Sequence, residues 1–149
     1  MESITLALGW AGIFAPVAFA AIGSIVGCAR AGQAAAGTML ETEGGHGRYI
    51  GVSAMPSSQT IYGIVVMLTL NREVTVLNAP ALAGIGITVA PALMFSAVYQ
   101  GYCCASAINV AKSKPEVFGP ALAPAGIVES FAVFAFVFAL LLAGAIPGA

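Results

Sequence analysis

The chain has 149 residues, of which 60% are hydrophobic and only 7% are charged, and its formal net charge is -1. Soluble domains carry about 25% charged residues, so this composition excludes an ordinary water-soluble globule and indicates an integral membrane protein. The near-zero net charge gives no reason to expect nucleic acid as a partner. No cationic stretch precedes the first apolar run, so we expect no cleaved signal peptide.

Four apolar segments reach the roughly 20 residues that a helix needs to cross a bilayer. They span residues 4–37, 49–70, 76–111 and 118–146. The polar breaks between them are short, at 40–48, 71–74 and 112–116, so neighbouring helices must run antiparallel. The predicted fold class is an all-α membrane protein with four transmembrane helices, arranged as two antiparallel hairpins in a single membrane domain over 1–149.

The first predicted helix is rich in small residues, including Gly23 and Gly27 at the GxxxG spacing that lets helix backbones approach closely in lipid. Packing within one bundle would explain this pattern. The pattern also fits a homo-oligomeric ring. In such a ring the first and third helices of many copies form an inner layer, and the second and fourth helices form an outer layer.

The two halves of the chain look like copies of one hairpin. The segment MPSSQTIYGIVVMLTL at 55–70 matches AGIVESFAVFAFVFALLL at 125–142, with Gln59 opposite Glu129. A duplicated hairpin is the simplest interpretation. Hairpin one is assigned to 4–72 and hairpin two to 76–146.

The second helix is predicted to present Met55, Ser58, Gln59 and Tyr62 on one face, because they stand at i, i+3, i+4 and i+7. Pro56 lies in the same turn and cannot donate a backbone hydrogen bond, so we expect the helix to kink there. A kink at that point can turn the backbone carbonyl of Met55 towards the polar face.

Glu129 lies inside the fourth apolar segment. A carboxylate at the centre of a membrane helix costs roughly 3 kcal/mol on insertion scales, and ionisable residues at that depth mark ion or substrate pathways. Gln59 and Gln100 are expected at a similar depth. These neutral residues could act only as hydrogen-bonded contacts between helices, but that role does not explain Glu129.

A carboxylate, two glutamines, a serine hydroxyl and a backbone carbonyl together form an all-oxygen cage with one negative charge, which suits a hard cation. One monovalent ion neutralises this site, whereas a divalent ion would leave a net positive charge in hydrocarbon. A proton would also neutralise Glu129, but it would not need two glutamines and a serine. The sequence favours Na⁺ as the bound ion, with H⁺ as the alternative.

Basic residues orient the predicted bundle by the positive-inside rule. Arg30, Arg48, Lys112 and Lys114 lie in or near the first and third breaks, and Arg72 lies in the second. Both hairpin loops should therefore face the cytoplasm, with both termini outside.

Three segments carry a resemblance to a known family: MPSSQTIYG at 55–63, FSAVYQG at 95–101 and IVESFAVFAF at 127–136. Over essentially its whole length the chain resembles the two-hairpin rotor-ring proteolipid (the K-type or c-type protein) of V-type and V/A-type rotary ATPases. It is most similar to the bacterial sodium-translocating form. The resemblance implies an ion site formed by the Met55 carbonyl, Ser58, Gln59, Gln100 and Glu129, with Tyr62 bonded to the glutamate. Ser58 stands where that form usually has threonine.

The resemblance also implies the partners. Identical copies form a ring in lipid, a stator subunit with a membrane arginine opens each site, and the cytoplasmic loops contact a central-stalk subunit. The implied location is the plasma membrane of a prokaryote, and ion transport is coupled there to ATP hydrolysis or synthesis. The chain lacks a GxxxxGK[ST] motif, so we expect a non-catalytic subunit.

Two other protein classes are the alternatives. A stand-alone small cation transporter would also use a midplane carboxylate, but it would usually show different chemistry in its two halves and broken helices. A purely structural helix bundle would explain the small residues but not Glu129.

Overall fold

A computed structural model describes residues 1–146, and all regular structure in that range is helical. The α-helices are α1 (Glu2–Met39), α2 (His46–Ser53), α3 (Ser58–Leu70), α4 (Ala79–Ser113), α5 (Phe118–Ala121) and α6 (Ala123–Gly144). Short 3₁₀ turns at Met55–Ser57 and Pro115–Val117 precede α3 and α5. The all-α prediction is confirmed for the residues described.

Three helical segments in the described range are long and apolar enough to cross a membrane: Glu2–Met39, Ala79–Ser113 and Pro115–Gly144. The predicted second span, 49–70, is not one continuous helix, because the 3₁₀ turn interrupts it. Pro56 explains the interruption, since its ring lacks the N–H that would bond to the carbonyl four residues earlier. The helix after the turn, α3, has 13 residues, fewer than the roughly 20 that span a bilayer.

The long helices α1 and α4 run parallel and pack backbone against backbone. A Cβ atom at Gly12 or Gly86 would overlap backbone atoms of the facing helix, and the same holds for Gly27 and Gly101. Residues without a Cβ permit this close approach. The small residues noted in the sequence therefore serve packing within the chain.

The shorter helices lie along one side of this pair. Pro16 on α1 lies against Gly63 on α3, and Ser24 against Pro56, so α1 and α3 run antiparallel. Beyond the end of α3, Arg72 donates to the carbonyl of Ala143 near the end of α6 at 3.2 Å. The helices α3 and α6 therefore end at the same side of the bundle and run parallel.

In contrast to α1 and α4, the helices α3 and α6 meet through large side chains. The rings of Tyr62 and Phe136 lie 5.3 Å apart between them. The bundle is therefore narrow along the edge formed by α1 and α4 and wider along the edge formed by α3 and α6.

Buried apolar side chains form two clusters that are separated by a polar level. One cluster includes Leu82 and Leu93 of α4, and the other includes Ile108 farther along the same helix. Between them on α4 lie two buried polar residues, Ser96 and Gln100, which are 6% and 0% exposed. The polar level is where the predicted site residues meet.

The loops at 40–48 and 112–116 lie at one end of the bundle and are joined to each other by side-chain contacts. Lys112 donates to the Glu41 carboxylate at 2.8 Å, and the Arg48 guanidinium lies 4.8 Å from the Tyr49 ring and 5.0 Å from the Phe118 ring. The rings of Tyr49 and Phe118 also pack edge to face. The loops therefore form one continuous surface at this end.

Candidate ion-binding site

The carboxyl group of Glu129 accepts hydrogen bonds from three side chains on two other helices. On α3, the Ser58 hydroxyl lies 2.6 Å from Oε1 and the Tyr62 hydroxyl lies 3.2 Å from it. On α4, Nε2 of Gln100 donates to Oε2 at 3.0 Å. The one ion pair in residues 1–146 is Lys112–Glu41, so Glu129 has no cationic partner in that part of the chain.

The 3₁₀ turn before α3 places a backbone carbonyl beside the Ser58 hydroxyl that contacts this carboxyl group. The Met55 carbonyl oxygen lies 3.0 Å from the Ser58 hydroxyl. The turn is held from α1, where the buried Ser24 hydroxyl donates to the Pro56 carbonyl at 2.6 Å. The Thr60 hydroxyl in turn donates to Ser24 at 2.8 Å. Helix α1 therefore fixes the break that positions the site.

The two predicted glutamines are fully buried and bonded to each other. Nε2 of Gln59 donates to Oε1 of Gln100 at 3.0 Å and to the Ser96 hydroxyl at 3.2 Å. Both glutamines are 0% exposed. At that burial a polar group without a partner is expensive, so this pairing holds α3 and α4 together at the level of the site.

Oxygen lone pairs outnumber the available hydrogens around the Ser58 hydroxyl. Its single hydroxyl hydrogen has three acceptors within reach: Glu129 Oε1 at 2.6 Å, the Met55 carbonyl at 3.0 Å and Gln59 Oε1 at 3.2 Å. One hydrogen serves one of these acceptors well. Glu129 Oε1 also accepts from Tyr62, and the Met55 carbonyl also accepts from the backbone N–H of Ser58. Within the described residues, the Ser58 hydroxyl is the one donor to Gln59 Oε1. Unused lone pairs therefore converge at Ser58, an arrangement that a small cation or an added proton relieves.

The charge of the site limits what it can hold. The described residues contain no group of three or more His, Cys, Asp or Glu side chains that could hold a metal ion. Glu129 therefore supplies the one formal negative charge, and the other oxygens come from neutral groups. Such a set fits a singly charged cation better than a divalent metal, which usually gathers several carboxylates.

The structure brings together all six predicted site residues: Met55, Ser58, Gln59, Tyr62, Gln100 and Glu129. One detail differs from the expectation that each glutamine offers an oxygen. Gln100 presents its amide nitrogen to the carboxylate, because a carboxylate attracts N–H donors, and its oxygen accepts from Gln59.

Sequence reasoning missed Ser96, which lies one helical turn before Gln100 on α4 and bonds to Gln59. Its i, i+4 spacing from Gln100 was the available signal.

Comparison with known proteins identifies the family. The family model for the C subunit of ATP synthase matches residues 6–70 and 83–142, which is most of the chain. The chain belongs to the ATP synthase C-subunit family. As a member of this family it is a non-catalytic rotor-ring proteolipid of a V/A-type ATPase and an integral membrane protein, which confirms the resemblance seen in the sequence. The two matched stretches lie in the two halves that resemble each other.

Two curated relatives place this rotor-ring proteolipid within the family. It is 28% identical over 128 residues to the V-type sodium ATPase subunit K of Enterococcus hirae, an alignment that covers 83% of this chain and 82% of that one. It is 30% identical over 122 residues to the A-type ATP synthase subunit K of Methanocaldococcus jannaschii, covering 80% of this chain and 56% of that protein. The matched region is thus little more than half of the second relative.

Proposed function

We propose that this rotor-ring proteolipid binds Na⁺ at Glu129 and carries it through the membrane as the ring turns. The observation that carries the proposal is the convergence of unused oxygen lone pairs around the Ser58 hydroxyl. A transported Na⁺ would use those unused lone pairs, with oxygens from Glu129, Ser58, Gln59 and the Met55 carbonyl as its ligands. The relative named as a sodium ATPase subunit supports the same ion.

Tyr62 and Gln100 complete the proposed site in different ways. The Tyr62 hydroxyl donates to Glu129 Oε1 at 3.2 Å, so it would hold the carboxylate in place while the other oxygens bind the ion. Gln100 can offer its own oxygen to the ion after a half-turn of its amide group. That turn would break the bond from Gln59 Nε2 to Gln100 Oε1.

Charge neutrality links the site to rotation. One Na⁺ cancels the charge of Glu129, so a loaded site can pass the lipid at low cost, whereas an empty and ionised one is strongly disfavoured there. We infer that a stator subunit with a membrane arginine stabilises the empty site and exchanges its ion. The ring then advances by one copy, coupled to ATP hydrolysis or synthesis elsewhere in the machine.

The wedge shape of the bundle supports a ring with α1 and α4 inside. Backbone contact at Gly27 and Gly101 makes the α1–α4 edge narrow, and ring packing between α3 and α6 makes the opposite edge wide. Wedges placed side by side with their narrow edges together close into a ring. In that arrangement Glu129 lies towards the outer layer, within reach of a stator subunit.

We propose four membrane spans per copy, grouped as hairpin one over 4–72 and hairpin two over 76–146. The second span would be formed by α2, the 3₁₀ turn and α3 together, over residues 46–70. At 1.5 Å per residue this segment is about 37 Å long, which exceeds the roughly 30 Å of hydrocarbon.

The positive-inside rule supports a cytoplasmic position for the joined loops at 40–48 and 112–116, with both termini outside. There the joined loops would carry the central-stalk subunit. A prokaryotic plasma membrane fits this arrangement.

A proton is the second candidate for the transported ion. The observation that favours it is the hydrogen bond from Nε2 of Gln100 to Oε2 of Glu129, which leaves Oε1 as the oxygen that would carry the proton. In that case the proton would reside on the carboxyl group, and the carboxyl O–H would donate a hydrogen bond to one of the unused oxygens near Ser58.

Sodium binding to purified rings tests the proposal. We expect wild-type rings to exchange radioactive Na⁺ at one site per chain and Glu129→Gln rings to bind none. Gln59→Leu should weaken binding about tenfold or more, through loss of a ligand oxygen and of buried hydrogen bonds. Gln33→Leu is the matched control, because Gln33 is exposed on α1 outside the site. Native mass measurements would establish that each variant still forms rings. A wild-type ring without bound Na⁺ would leave the proton as the transported ion.

A further inference from the structure

Ser96 lies beside the candidate site without touching the carboxyl group of Glu129. It is buried on α4, with 6% of its surface exposed. Its hydroxyl donates to the backbone carbonyl of Val128 at 3.0 Å and accepts from Nε2 of Gln59 at 3.2 Å. Ser96 thus connects a side chain of α3 with the backbone of α6.

Both side-chain amide hydrogens of Gln59 have a hydrogen-bond acceptor. Its amide group carries two hydrogens. One points to Oε1 of Gln100 at 3.0 Å, and the other points to Ser96. Both hydrogens lie on the side away from Ser58, so Oε1 of Gln59 must face the Ser58 hydroxyl, 3.2 Å away.

The opposite orientation of the Gln59 amide is unfavourable because the Ser96 hydroxyl hydrogen is already used in another hydrogen bond. That hydrogen goes to the Val128 carbonyl, so the Ser96 oxygen can only accept from Gln59. If the Gln59 amide turned over while Gln100 kept its present orientation, the Gln59 oxygen would face two other oxygens, those of Ser96 and Gln100, with no hydrogen between them. If Gln100 also turned, the Gln59 oxygen would still face the Ser96 oxygen. Buried acceptors without a donor are destabilising. Ser96 therefore stabilises the orientation in which the nitrogen of Gln59, and not its oxygen, faces the Ser96 hydroxyl.

The same hydroxyl also acts on the element that carries the carboxylate. Val128 immediately precedes Glu129, and its carbonyl is the group to which Ser96 donates. A serine hydroxyl in a helix often bonds to its own helix, as Ser106 does on α4 with the Tyr102 carbonyl at 2.9 Å. Ser96 instead bonds to neighbouring helices at the level of the site.

We propose that Ser96 is a positioning residue for cation affinity: it holds the Gln59 amide so that the carbonyl oxygen, and not the nitrogen, faces the transported cation. This inference rests on the proposed sodium site. It predicts a specific dependence, in which Ser96 matters only while residue 59 carries an amide that can turn.

The first experiment measures Na⁺ affinity of purified rings by isotope exchange. Ser96→Ala should weaken binding roughly three- to tenfold, the effect of losing one neutral hydrogen bond. Ser106→Ala, on the same helix, should leave affinity unchanged, and Ser96→Thr should restore it because the hydroxyl returns. Ser96→Cys keeps the size and a weak donor for Val128 but is a poor acceptor, so it should weaken binding as alanine does. The proposal is refuted if assembled Ser96→Cys rings bind Na⁺ with wild-type affinity.

A double-mutant cycle then separates positioning from packing. In the Gln59→Leu background there is no amide to orient, so Ser96→Ala should change Na⁺ affinity less than twofold. An equal loss in both backgrounds would show that Ser96 acts through the register of α6 and would overturn the proposal. Absence of Na⁺ binding in wild-type rings is a different result. It would remove the proposed sodium function itself, and the inference with it.

Discussion

Replacing Ser58 by alanine tests the centre of the proposed cage with a small perturbation. The Ser58 hydroxyl is the nearest side-chain group to the carboxylate, at 2.6 Å from Glu129 Oε1, and it lies 3.0 Å from the Met55 carbonyl. The change removes one oxygen atom and fills no new space. The helices should therefore pack as before, and rings should still assemble.

The expected loss follows from the ligand that the variant lacks. In the proposed loaded site the Ser58 oxygen binds Na⁺, a contact comparable to a hydrogen bond with a charged group, which is worth about 1.5–3 kcal/mol and corresponds to roughly ten- to 150-fold in affinity. The variant also loses the Ser58–Glu129 hydrogen bond of the ion-free site, which offsets part of this loss, although Glu129 keeps Tyr62 and Gln100 as donors there. We therefore expect the lower part of that range, a ten- to thirtyfold weaker affinity for Na⁺.

Ser57→Ala is the matched control, because Ser57 lies next in the chain and its hydroxyl donates only to the Ala54 carbonyl of the same turn. Isotope exchange on purified rings, with native mass to verify assembly, gives both affinities. The reasoning fails if Ser58→Ala binds Na⁺ within twofold of wild type, or if Ser57→Ala weakens binding as much.

Two further predictions concern packing and orientation. Gly27→Ala places a Cβ against the Ala97 carbonyl and the Pro56 side chain and should destabilise the protein by about 1–3 kcal/mol. Gly32→Ala, on the same helix, places its Cβ in open space and should leave the stability unchanged. Equal thermal unfolding temperatures for the two variants would contradict the close α1–α4 contact. Cysteines placed at Glu43 and Lys114 should react with an impermeant maleimide that is added on the cytoplasmic side. The same cysteines should cross-link to the stalk subunit. A cysteine at Glu73 should react only from the other side, and the reverse pattern would invert the proposed topology.

The helices and the site membership could be predicted from the sequence because both depend on local signals. Long apolar runs interrupted by polar breaks indicate helices, and Met55, Ser58, Gln59 and Tyr62 share a face by spacing alone. A carboxylate at Glu129 in an apolar run is energetically costly, so the sequence predicts polar groups around it at the same depth. The described structure brings these residues together.

The parts that could not be predicted depend on contacts between helices. Pro56 indicated a kink, but a full 3₁₀ turn also needs a partner for its carbonyl, which Ser24 provides from α1. The orientation of the Gln100 amide depends on which neighbours donate and which accept. Ser96 gave little signal, because a serine in a membrane helix usually bonds to its own helix. Its role depends on Val128, 32 residues away in the chain.

The most direct test of the sodium site is the reaction of Glu129 with an apolar carbodiimide. The reagent partitions into lipid and attacks a protonated carboxyl, so Glu129, half-buried in the apolar helix α6, is its natural target. The remaining glutamates all lie in exposed segments near the helix ends: Glu2, Glu41, Glu43, Glu73 and Glu116. Mass spectrometry of purified rings reads the labelling at residue 129, and Glu129→Gln rings give the background.

At fixed pH, labelling of Glu129 should fall as Na⁺ rises, because the bound ion excludes the proton and shields the carboxylate. It should rise again as the pH is lowered, and K⁺, which is too large for a cage fitted to Na⁺, should protect much less. Labelling that follows pH but ignores Na⁺ would contradict the account. The ring would then carry protons, and the two glutamines would only join helices.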